Sequence, residues 1–220
     1  MRRHNGGRIV PKWIRWIGSG VTVAVFVFAA VAVVLHGLRP DLDWMHHTLS
    51  AYLRGPFGAW LKAAYLLLSV ALAALGLAYD RAVVTRASGR WARWLFAVSG
   101  MALTVTALTE VPYRGHGSRL EGLVHVVAAG VTFLSVTTAM LVQSWRLRLD
   151  PAWRAHFIPA LSMAVLCFVG LWTFALWRGL PAGLSQKMVI AAILVWLMRA
   201  GWWLRNVAPS PEGRTRWSVE

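Results

Sequence analysis

Six predominantly apolar stretches of about 20 residues recur along the chain, at 14–35, 59–79, 91–108, 120–142, 157–177 and 188–204. A helix rises about 1.5 Å per residue and the hydrocarbon layer of a bilayer is about 30 Å thick, so runs of this length are what membrane crossings require. The joins hold helix breakers: Arg39-Pro40, Gly55-Pro56, Pro112, Asp150-Pro151 and Gly179-Leu180-Pro181. Short joins place consecutive helices side by side and antiparallel. The expected fold is all-α, a polytopic transmembrane bundle of six helices. Residues 1–13 read as a basic cytoplasmic N-terminus, 14–205 as the membrane domain, and 206–220, with Pro209, Pro211 and Gly213, as a disordered cytoplasmic tail. The basic start followed by an apolar run resembles a secretory signal with a cleavage site near Ala30-Val31-Ala32, but the run exceeds a usual signal core and is read as an uncleaved first span.

Orientation follows from charge. Of the 23 Lys and Arg residues, 16 fall at the two termini and in the second and fourth joins, and 7 fall on the alternate side. Cytoplasmic flanks retain positive charge, so both termini are expected inside. Tryptophan, suited to the membrane boundary, marks the same two levels: Trp13, Trp16, Trp91, Trp94, Trp145, Trp153, Trp202 and Trp203 inside, and Trp44, Trp60, Trp172 and Trp177 outside. The net charge of +15 is split into short clusters between apolar runs, which argues against a nucleic-acid partner and for the lipid bilayer. A single Cys167 rules out an intrachain disulfide.

With that topology the polar residues sort by side, and the chemistry-bearing ones gather outside. In the 43–53 segment Asp43 is placed to cap a short interfacial helix, on which His47 and Ser50 would share a face. Imidazole beside hydroxyl is the pairing of a base-activated nucleophile, with Glu110 from the end of the third helix as its orienter; the plainer reading is an amphipathic collar at the headgroups. Glu121 and His125, four apart at the start of the fourth helix, together with His47 form a candidate set for a divalent metal. Gln186 and Lys187 near the start of the sixth helix, with Arg178, are candidates for an anionic headgroup, or for snorkelling to the boundary. The hydroxyls of Ser99, Thr104, Thr106, Thr109, Ser135, Thr137 and Thr138 are expected to bond between helices.

Several of these motifs, in this order, resemble those of the six-helix prokaryotic membrane proteins grouped as domain-of-unknown-function family 998. The likeness lies in His47-Thr48-Leu49-Ser50 followed by Gly55-Pro56-Phe57-Gly58-Ala59-Trp60, then Glu110-Val111-Pro112, Gly122-Leu123-Val124-His125, and Gly183-Leu184-Ser185-Gln186-Lys187. The family often carries its acidic residue after the proline, whereas Glu110 precedes Pro112 here. The resemblance implies a six-helix membrane fold in the plasma membrane of a prokaryotic cell and nominates His47, Ser50, Glu110, His125 and Gln186 as a site, but supplies no reaction. Three readings stay open: an outward pocket binding a lipid headgroup or hydrophobic small molecule, a hydrolase or metal-dependent enzyme acting on a lipid-like substrate, and a structural or partner subunit.

Overall fold

The computed structural model describes residues 11–83, 89–109, 118–177 and 179–206. Six helices account for most of them: α1 (Lys12–Leu38), α2 (Gly58–Ala82), α3 (Gly89–Leu108), α4 (Arg119–Leu147), α5 (Phe157–Leu176) and α6 (Ala182–Arg205). All six are long and apolar enough to cross a membrane, and there is no strand among the described residues. The chain is a multi-pass membrane protein. The expected termini at 1–10 and 207–220 lie outside the described residues.

Each helix packs on the next, and α1 packs on α6, so the six close into a ring; α2 also touches α6 across it. The α1–α6 seam depends on two glycines. A Cβ on Gly18 would lie 2.6 Å from the Gly201 carbonyl oxygen, and one on Gly201 would lie 2.8 Å from the Gly18 oxygen. Small residues let membrane helices approach backbone to backbone, where dispersion and weak polar contacts replace a hydrophobic drive that lipid does not supply.

One end of the ring is covered by the 39–57 connection, which folds inward as a cap. Arg39 donates through Nε and Nη2 to the Asp41 carboxylate, both at 2.8 Å, and through Nη1 to the Arg54 carbonyl, pinning the base of the connection together. A 3-10 helix, Leu49–Leu53, then buries Leu49, Tyr52 and Leu53, and the Tyr52 ring lies 4.8 Å from that of His36. At the far end Tyr79 donates to the Ala200 carbonyl at 3.1 Å, and Trp153, His156 and Trp203 pile up beside it. Trp153 and Trp203 are buried, because this aromatic stack gives them partners inside the fold. The other tryptophans assigned to the two boundary levels are exposed.

The helix hydroxyls also depart from expectation. Ser99 donates to Phe96, Thr104 to Gly100, Thr106 to Ala102, Thr109 to Val105, Ser135 to Val131, Thr137 to Phe133 and Thr138 to Leu134, each within its own helix. A carbonyl three or four residues back is always in reach, so these groups are satisfied within their own helix; Thr109 also reaches a second one, its hydroxyl 3.5 Å from His125 Nδ1 on α4.

Candidate functional site

Beneath the cap the ring surrounds a partly open cavity of about 70 Å³. Its walls come from α1, α2, α3, α4 and α6, and Ser50 reaches it from the cap. The lower walls are Leu68, Leu72, Val136, Leu194 and Leu197; the polar lining residues nearer the cap are Ser50, Tyr65, Thr106, His125 and Gln186. Along α6 the cavity runs from Gln186 to Leu197, a rise of about 16 Å, close to one leaflet of a hydrocarbon layer about 30 Å thick. No Lys, Arg, Asp or Glu lines it among the described residues.

His125 is only 2% exposed, although an ionisable group at this depth needs a partner. Its Nδ1 lies 2.8 Å from the Thr109 carbonyl oxygen, just past the end of α3, where helix carbonyls lack intrahelical donors. A carbonyl only accepts, so Nδ1 carries the proton, and in the neutral ring Nε2 is left as an acceptor. Nε2 has no protein partner among the described residues.

Gln186 is divided in the same way. Its Oε1 accepts from the Leu49 backbone N–H at 2.9 Å, which assigns the amide orientation and leaves the NH2 group as a donor. Tyr65, 6% exposed on α2, packs its ring 5.1 Å from Phe28, and its hydroxyl has no hydrogen-bond partner among the described residues. Tyr65 was missed in the sequence, where one tyrosine in an apolar run reads as packing. The usable signal was that a phenol inside a span needs something to bond.

The structure sorts the remaining candidates. Asp43 does begin a helical turn: its Oδ1 accepts from Met45 N–H at 2.9 Å, its Oδ2 pairs with His46 Nδ1 at 2.6 Å, and its carbonyl accepts from His47 N–H at 2.8 Å. The bond from His46 holds the Asp43 carboxyl below its usual pKa, and Arg39 does the same for Asp41. Thr48 is then extended, with φ −63° and ψ 159°, and this breaks the helix that would have set His47 and Ser50 on one face. The Ser50 hydroxyl is 3.0 Å from that of Thr48, while His47 Nδ1 is 3.2 Å from the Asp43 carbonyl. No hydrogen bond joins His47 to Ser50 among the described residues.

The metal set is not assembled. His125 is committed through Nδ1 to Thr109, and Glu121 sits at the start of α4, where Ser118 caps the Glu121 N–H at 3.0 Å. No three His, Cys, Asp or Glu side chains come together as metal ligands among the described residues. Glu110 and Arg178 lie outside the described residues.

Lys187, a candidate for an anionic headgroup, is used within the protein. Its Nζ donates to the carbonyls of Trp44 and His47 at 2.6 and 2.7 Å and lies 5.6 Å from the centre of the Tyr52 ring. Leu184 N–H donates to Met45 O at 2.9 Å alongside. Gly183 allows this contact, since a Cβ there would collide with the His47 carbonyl. The cap is thus latched to the first two turns of α6 through Leu184, Gln186 and Lys187. Helix α6 begins at Ala182, about two turns before the expected span, because these residues find their partners in the cap.

A second groove, about 350 Å³, opens along α1 and α6 and is lined by Ala29, Ala32, His36, Lys187 and Ala191. It shares Phe28, Ile190 and Leu194 with the cavity, so these three side chains stand between the two spaces.

Neither the curated proteins nor the solved structures contain a significant match to this chain. The profile of one family, described as "Protein of unknown function (DUF998)", matches residues 22–203. That span takes in most of α1, the cap, all of α2 to α5 and nearly all of α6, and with it every residue named above as lining the cavity. The six-helix membrane architecture and the profile match agree, and the chain belongs to the DUF998 family.

Proposed function

We propose that the protein binds a membrane amphiphile, a lipid or lipid-like small molecule, with its tail in the apolar depth of the cavity and its head against the polar groups beneath the cap. One observation carries this reading: a cavity one leaflet deep is apolar below and is lined above by His125 and Tyr65, two buried side chains with polar atoms left unbonded. Both residues line the cavity, where a ligand head supplies the partners that the protein does not. The adjoining groove along α1 and α6 favours a ligand arriving from the bilayer, since only Phe28, Ile190 and Leu194 intervene. The Lys and Arg asymmetry supports a cap facing away from the cytoplasm, with the ligand drawn from the outer leaflet.

The test is to purify the full chain gently from its membrane and weigh it with bound species by native mass spectrometry. The expected result is one co-purifying amphiphile per chain. Leu72→Trp, which fills the floor of the cavity, should lower its occupancy by about tenfold or more. A wild-type protein that carries no amphiphile, and takes up none from mixed lipid micelles, would sink the reading.

A further inference from the structure

The polar end of the cavity is specific about what it can hold. His125 Nε2 is an acceptor because Nδ1 donates to Thr109. The Gln186 NH2 is a donor because Oε1 accepts from Leu49. The Tyr65 hydroxyl has no partner among the described residues, and the Ser50 and Thr48 hydroxyls share one bond. The hydroxyls can donate or accept, so the fixed demands are one acceptor, His125 Nε2, and one donor, the Gln186 NH2.

We infer that the ligand is a single-chain carboxylic acid, a fatty acid, whose O–H meets His125 Nε2 and whose carbonyl oxygen accepts from Gln186, with Tyr65 as a further donor in reach of the head. This rests on the amphiphile reading above. Gln186, His125 and Tyr65 lie about 6, 9 and 10 Å of rise from the starts of their helices, and all three line the cavity. A carboxylic acid offers one hydrogen and two oxygens, matching Nε2, the Gln186 NH2 and a donating hydroxyl. An alcohol offers a single oxygen, and an ester offers no hydrogen, leaving Nε2 unfilled. A phosphate brings fixed charge into a cavity with no Lys or Arg in its lining, and the nearby Lys187 is already bonded to Trp44 and His47. The acid avoids that cost: neutral acid with neutral imidazole, or carboxylate with imidazolium, carries the same total charge. The depth of about 16 Å along α6 suits one extended chain within a leaflet.

The experiment is a binding titration of the full-length protein in detergent with palmitic acid, hexadecanol, methyl palmitate and hexadecyl phosphate. Palmitic acid should bind about tenfold or more tightly than the other three. Gln186→Glu keeps the acceptor for Leu49 but replaces the donor with a carboxylate, and should weaken palmitic acid about tenfold or more. Tyr65→Phe removes only the hydroxyl and should act in the same direction. His125→Asn retains a donor for Thr109 and removes Nε2; its thermal unfolding is followed alongside, and if it does not fold, Gln186→Glu and Tyr65→Phe decide. Equal binding of acid and methyl ester, or acid binding unchanged in Gln186→Glu and Tyr65→Phe, overturns the carboxyl assignment. If in that case Leu72→Trp still weakens every ligand, the amphiphile pocket stands without it. Failure of all four ligands to bind wild type overturns both.

Discussion

Lys187 shows how a residue that invites a ligand from sequence can be spent inside the fold. Its ammonium replaces a helix N-terminus for the carbonyls of Trp44 and His47, which would otherwise face an apolar edge. Lys187→Met should remove both bonds while keeping the aliphatic stem. The expected cost is about 1–3 kcal/mol, read as a lower thermal midpoint in detergent. An unchanged midpoint would mean that the latch contributes nothing. At this scale the sequence was partly legible. His125, Ser50 and Gln186 were nominated together and do line one cavity, whereas His47 was grouped with Ser50 on a helix that Thr48 interrupts. Which face a short polar segment presents depends on one residue's ψ, and no periodicity reports that. Tyr52 shows the same limit: burial pushes its hydroxyl pKa up, a consequence of a cap whose inward fold leaves no trace in local pattern.

Among elements, the α1–α6 seam closes the ring, and it does so with the least side-chain volume. Gly18→Val would force the helices apart, since even a Cβ would sit 2.7 Å from the Arg205 nitrogen as well as against Gly201. Overpacking of this kind costs about 1–3 kcal/mol, and more where backbone is the obstacle. The measurement is thermal unfolding of Gly18→Val beside Gly20→Val, whose Cβ would meet nothing within 4 Å. Equal loss in both would show that the seam is not special. The helices themselves were legible from length and hydropathy alone, because the cost of unbonded backbone in lipid leaves long apolar runs few alternatives. Their ends were less so: α6 gains its first two turns from contacts with Leu49, Met45 and His47, which lie well over a hundred residues earlier.

For the molecule as a whole, the cap, the polar end of the cavity and the adjoining groove all lie toward one end of the ring, and most of the Lys and Arg among the described residues lie toward the other. Reporter fusions should place residue 150 in the cytoplasm and residue 50 on the opposite side. The reverse result would turn the cavity toward the cytoplasmic leaflet. Gln186 gives this arrangement one more consequence. Its side-chain amide holds the cap with one atom and lines the chamber with the other, so closing the roof and filling the room are not independent events. Whatever occupies the chamber and draws on that amide must steady the roof by the same free energy with which a steadier roof retains the occupant.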